Sequence, residues 1–180
     1  MVNKKNIIIT GGSEGFGFEI AKYLVKKNHN VIICSRNNKK LNTAKIELSK
    51  IRISKDQIIF LKQIDISNQN QVKNFVKFCL SKLKKIDVLI NNAGTYGSIK
   101  PFENTKWKDW IKGIETNLYG SIYTIMFLLP TFKKQKMGKI IQLAGGGASK
   151  AMQNFSSYSV SKTAIVRFVE SIALELKKYN

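Results

Sequence analysis

Thr10-Gly11-Gly12-Ser13-Glu14-Gly15-Phe16-Gly17 is the stretch whose reading decides the fold. It follows a short β-branched run, Asn6-Ile7-Ile8-Ile9-Thr10. It precedes residues 15–28, where Ile20, Leu24 and Val25 recur at helical spacing. Strand, glycine loop and helix in that order have a physical use. Glycines let the backbone turn tightly and come close to a pyrophosphate, and a helix N-terminus presents free N–H groups and a positive dipole end. A glycine pattern alone is an ordinary turn; its place between a strand and a helix gives it weight.

Outward from this loop, strand-like and helix-like segments alternate. Strands are expected at 6–10, 31–34 (VIIC), 58–61 (IIFL), 86–90 (IDVLI) and 139–143 (KIIQL). Helices are expected at 15–28, 38–51, 68–83, 103–129 and 155–179. Val72, Phe75, Val76, Cys79, Leu80 and Leu83 share one helical face, and Val160, Ala164, Phe168, Ile172 and Leu176 form a stripe on another. Pro130 is expected to close the fourth helix. Nearly continuous apolar strands imply burial on both faces, hence a parallel sheet between helices. Right-handed crossovers leave a doubly wound, Rossmann-type, three-layer α/β/α sheet as the expected fold. There is no internal repeat and no linker, so 1–180 reads as one domain.

Composition narrows the class. A hydrophobic fraction of 43% over 180 residues suits a globular core rather than a disordered chain. No apolar run is long enough to span a bilayer, and the N-terminal apolar run passes directly into the glycine loop, as a strand would and a signal peptide would not. Cys34 and Cys79 have no metal-ligand spacing, so no metal is expected; without an export signal they read as reduced, buried thiols of a cytoplasmic protein. The net charge of +20 comes almost wholly from lysine dispersed along helices, together with abundant isoleucine and asparagine. That is the pattern of compositional bias rather than of a nucleic-acid or membrane surface, although a positive field still draws an anionic cofactor. His29, the sole histidine, reads as a surface or capping residue at a helix end.

Five features in order resemble the short-chain dehydrogenase/reductase family across essentially the whole chain: TGGSEGFG at 10–17, Asp65 after the third strand, Asn91-Asn92-Ala93-Gly94 closing the fourth, Asn117 in the fourth helix, and Tyr158-Ser159-Val160-Ser161-Lys162 as YxxxK. The resemblance implies a nicotinamide-dependent oxidoreductase transferring hydride between the cofactor and a small carbonyl or alcohol substrate. It implies Tyr158 as acid/base, Lys162 as its activator and ribose ligand, and Asn117 as part of a proton relay. Gly11, Ser13, Gly15, Phe16 and Gly17 would hold the pyrophosphate, Asp65 and Ile66 the adenine, and Asn92, Ala93 and Gly94 the cofactor beyond. Homodimers or homotetramers through the fourth and fifth helices are implied as well. The pair also has its own logic. Tyr158 and Lys162 lie one helical turn apart, and an ammonium beside a phenol is expected to lower the phenol's pKa.

Cofactor choice is read after the second strand. Ser35 stands where NAD users of the family carry an aspartate, and Arg36 offers a fork of donors to a 2′-phosphate, favouring NADP over NAD. Glu14 opposes this, because a carboxylate repels a phosphate.

Two departures from the family pattern matter. Gly145 occupies the place of the catalytic serine, within Leu143-Ala144-Gly145-Gly146-Gly147-Ala148. A glycine-run N–H or Ser149 is the candidate replacement. The sequence also stops at Lys178-Tyr179-Asn180, where the family continues through a sixth strand, a substrate-covering helix and a seventh strand. The expectation is a truncated reading frame, a partial gene or a shortened protein completed by a partner, with one uncovered sheet edge. The alternative reading is a non-catalytic dinucleotide-binding or assembly protein.

Overall fold

The computed structural model describes residues 3–179. Five parallel strands form one sheet in the order β3-β2-β1-β4-β5. They are β1 (Asn6–Thr10), β2 (Asn30–Ser35), β3 (Ile59–Gln63), β4 (Val88–Asn91) and β5 (Lys139–Gln142). The helices are α1 (Gly15–Lys26), α2 (Asn38–Lys50), α3 (Gln69–Leu83), α4 (Trp107–Ile114), α5 (Gly120–Gln135) and α6 (Ser156–Leu176). The expected doubly wound α/β sheet is borne out, with the strand order reversing direction between β1 and β4. A crevice opens beyond the carboxyl ends of the strands at such a switch point.

The isoleucine run of β1 explains the three layers. Alternate side chains of a strand point to opposite faces. Ile7 and Ile9 join Val31 and Ile33 under α1 and α2, against Phe18, Ala21, Val25, Leu41, Ala44 and Leu48. Ile8 joins Ile32, Cys34 and Leu89 on the other face, under α3 and α5. Each such side chain, fully buried, contributes about 1.5–3 kcal/mol. Both cysteines are free and buried, and burial pushes the Cys34 thiol up to about 12.

Three expectations are corrected. Pro130 does not end its helix: α5 runs through it to Gln135. Pro130 and Met126, the residue four before it, are both exposed, so the break that proline makes in the hydrogen-bond ladder lies on the solvent side of the helix. The long fourth helix is broken into α4, a π-helical turn at Glu115–Tyr119, and α5, preceded by a single 3-10 turn at Phe102–Asn104. On α6 the buried face carries Ser157, Ser161, Lys162 and Ile165, whereas Val160 is exposed. The rest of the expected stripe, Ala164, Phe168, Ile172 and Leu176, is half-buried, with Phe168 packed against the core, so the helix turns its chemistry inward beside the stripe.

His29 is also buried rather than superficial. Its Nδ1 accepts from the Lys5 N–H at 3.1 Å, and its carbonyl accepts from Gln57 Nε2 at 2.8 Å. Burial first, then the Lys5 charge, holds its pKa below the ordinary 6.5, against an opposing pull from Asp87. A base whose folded pKa is depressed binds its proton more readily in the unfolded chain. Its contribution to stability is therefore present above about 6.5 and is lost as pH falls through the folded value. The urea midpoint is expected to drop between pH 7.5 and pH 5.5, and the drop is expected to shrink in His29→Gln. An equal drop in both proteins would remove His29 from the account.

Candidate active site

The glycine loop leaves β1 and is clamped from β4. Thr10 Oγ1 accepts the backbone N–H groups of Asn92 and Ala93, each at 3.1 Å, and Asn92 Nδ2 donates to the carbonyls of Thr10 and Gly11 at 3.0 and 2.9 Å. The N–H of Gly12 reaches Cys34 O on β2 at 3.2 Å. The closeness of this clamp explains Gly17: a Cβ there would lie 2.2 Å from Asn92 Nδ2. Asn91 serves the core instead, bonded through its amide to Ser121 O and Thr124 Oγ1.

In front of the loop lies a cleft of about 610 Å³. Of the residues expected to hold a cofactor, Gly11, Ser13, Ser35, Arg36, Ile66, Asn92, Ala93 and Gly94 line it. Gly15 and Gly17 sit at the start of α1 behind them. Phe16 instead lines an adjoining cleft. The Asp65 carboxylate is turned to Ser67: Oδ1 accepts the N–H and hydroxyl of Ser67 at 3.0 and 2.7 Å, while Ile64 and Ile66 form the cleft wall.

Whether these residues suit a dinucleotide is tested by what they leave unsatisfied. Ser13 Oγ and Thr116 Oγ1 are buried in the wall of the cleft without a hydrogen-bond partner. Such groups cost about 1–3 kcal/mol each when unpaired, and polar cofactor atoms would satisfy them. A Cβ built on Gly15 meets nothing within 4 Å, so the loop leaves room beside it. The fit is good. Glu14, which argued against a phosphate, is neutralised by an ion pair with Lys40.

The adjoining cleft, of about 600 Å³, joins Thr95, Tyr96, Leu143, Ala144, Gly145, Tyr158 and Lys162. Here the structure brings the expected acid/base group and lysine together. Lys162 is 5% exposed; its ammonium donates to Leu143 O at 2.9 Å and lies 5.9 Å from the Tyr158 ring centroid. The expected lowering of the phenol's pKa is not found. Burial and then the neighbouring Tyr96 push Tyr158 up from its ordinary value, and burial pushes Lys162 down. Desolvation disfavours the charged phenolate and leads the shift.

Asn117 is fully buried on the π-helical turn. Its amide accepts from Thr95 N at 2.8 Å and donates to Thr95 O at 2.8 Å and Ser161 Oγ at 3.0 Å. It ties the loop after β4 to the YxxxK helix. The π turn also aims the adjacent Thr116 into the cofactor cleft, a residue that helical spacing would not single out. Ser149 does not enter the site: its hydroxyl donates to Gly146 O at 3.1 Å. Gly145 has φ +84°, and a Cβ there would lie 2.2 Å from the Tyr158 hydroxyl oxygen. The Tyr158 hydroxyl thus occupies the space that a serine side chain at 145 would need.

The aromatic residues of the fourth stretch divide. Phe132 is buried, with Tyr123 and Phe127 packed against the same core. Trp107 stacks on Trp110 at 5.2 Å, and Trp110 Nε1 donates to Ser156 Oγ.

The sequence model for short chain dehydrogenases matches residues 5–180. The chain belongs to the short chain dehydrogenase family. Among relatives of this dehydrogenase-family chain is the mouse (Mus musculus) 3-ketodihydrosphingosine reductase, 33% identical over 176 residues, covering 97% of this chain and 53% of that protein. The zebrafish (Danio rerio) 3-dehydrosphinganine reductase is 31% identical over 180 residues, covering 99% and 54%. The chain thus spans about half the length of the curated relatives it matches. A solved structure, that of ElxO with NADP bound, superposes with a TM-score of 0.88 at 28% identity, over 98% of this chain and 70% of that one. No helix among the described residues is long and apolar enough to cross a membrane.

Proposed function

We propose that this chain forms the cofactor-binding and proton-transfer part of an NADP(H)-dependent carbonyl reductase. The observation that carries the reading is the meeting of two clefts at Asn92 and Gly94, one with orphaned hydroxyls and Arg36, the other with Tyr158 and Lys162. When bound, a nicotinamide dinucleotide supplies or accepts the hydride. Ser13 and the N-terminal turn of α1 would hold the pyrophosphate, and Ile64 and Ile66 would flank the adenine. Tyr158 delivers a proton to the carbonyl oxygen. Burial raises its pKa, so the phenol holds its proton at neutral pH and releases it only as negative charge develops on the carbonyl oxygen. Lys162 lends positive charge and a donor to a ribose hydroxyl. Asn117 positions both by holding Thr95 and Ser161.

An apolar substrate body is supported by the exposed Phe16 and Tyr96 at the rim of the second cleft, and by the reductase names of the relatives. Self-association through α5 and α6 is supported by their exposed Met126 and Leu174. The cofactor reading is tested by titration. NADPH is expected to bind more tightly than NADH, and Arg36→Ala is expected to weaken NADPH by about tenfold or more while leaving NADH nearly unchanged. Equal losses for both nucleotides would reject Arg36 as the 2′-phosphate ligand.

A further inference from the structure

Lys40 lies in the first turn of α2, with its N–H bonded to the capping Asn37 side chain at 3.0 Å. A lysine there sits at the positive end of the helix dipole, where a cation is disfavoured. Its ammonium reaches across to Glu14 of the glycine loop and forms an ion pair. Glu14 lines the cofactor cleft with Ser35, Arg36 and Asn37, and the ion pair holds Lys40 against it, just outside that lining. Both side chains are about half exposed, and an exposed pair of this kind contributes little to stability. Its cheapness to open is what gives it a use.

We propose that the Glu14–Lys40 pair is a clasp that reads the 2′-phosphate. The inference rests on the dinucleotide reading above. A phosphate entering beside Arg36 competes with the Glu14 carboxylate for Lys40. The clasp opens, Lys40 becomes the phosphate's second cation, and Glu14 swings to solvent. A dinucleotide with a free 2′-hydroxyl gives Lys40 no reason to leave Glu14, and the clasp stays shut. Glu14 is thus a gatekeeper that taxes phosphate binding rather than a ligand of NAD. Preference for NADP is set by the three residues together, not by Arg36 alone.

The test is a fluorescence titration of the chain and two variants with NADPH and NADH, repeated with adenosine 2′,5′-bisphosphate and AMP to confine the effect to this end. Lys40→Met is expected to weaken NADPH and the bisphosphate by about tenfold, with NADH and AMP changed less than about twofold. Glu14→Gln is expected to do the reverse, tightening NADPH severalfold by releasing Lys40. A Lys40→Met variant whose NADPH/NADH ratio equals that of the parent overturns the clasp and leaves the dinucleotide site standing, as does a Glu14→Gln variant that weakens NADPH. A parent chain that binds NADH alone also overturns the clasp. A parent chain that binds neither nucleotide overturns the dinucleotide reading itself, and the clasp with it.

Discussion

Tyr158→Phe is expected to lower NADPH-dependent carbonyl reduction by about a hundred- to ten-thousandfold, while the rise in melting temperature on adding NADPH is retained. The substitution removes only a hydroxyl. That hydroxyl lines the second cleft beside Lys162, whose ammonium is bonded to Leu143 O, while the Ser149 hydroxyl is bonded to Gly146 O outside it. The ring packs against Tyr96 at 5.1 Å and Phe155 at 6.3 Å, and phenylalanine keeps both contacts. Loss of turnover with binding intact places Tyr158 in the chemistry. Full turnover in the variant would move the proton donor elsewhere. A parent chain that binds NADPH yet reduces no ketone in a broad panel would select the non-catalytic binding protein instead.

Gly145→Ser is expected to reduce activity by about a hundredfold or more, although it restores the side chain that the family resemblance associates with catalysis. The reason is steric. Gly145 has a positive φ of 84°, which a side chain disfavours, and the new Cβ would fall 2.2 Å from the hydroxyl oxygen of Tyr158. The loop or the tyrosine must shift by an ångström or more, and misplacement of a reacting group on that scale costs about two orders of magnitude. A donor correctly placed would give the opposite sign, a gain of about a hundred- to a thousandfold. Gly145→Ala separates the two effects, because it adds the Cβ without the hydroxyl. Both variants falling together identifies crowding. Alanine falling while serine rises would show that the loop relaxes and that the hydroxyl is used. Near-parental melting temperatures confirm that either change is local.

The framework of this protein is legible in its residues. Three isoleucines before a glycine loop announce a strand buried on both faces, and they pack as that reading requires, Ile7 and Ile9 to one side and Ile8 to the other. The spacing of Tyr158 and Lys162 fixes them on one face of any helix that contains them. All of these depend on neighbours in the chain, and local geometry is the same wherever the segment lies.

What only the tertiary structure decided depends on residues far apart. Pro130 reads as a stop signal, yet α5 runs through it with the break in the ladder on its exposed side. The π turn that buries Asn117 and presents Thr116 has no period in the sequence to betray it. Glu14 looks hostile to phosphate until Lys40, distant in sequence, is seen against it. Gly145 looks like a lost serine until the tyrosine hydroxyl is found in the space a side chain would fill. Tyr158 looks primed by Lys162 until burial is weighed against a cation that reaches the ring at 5.9 Å and bonds to a carbonyl instead. Sequence periodicity determined which faces are buried; distance and desolvation, which arise only when the chain is folded, determined what the groups on those faces can do.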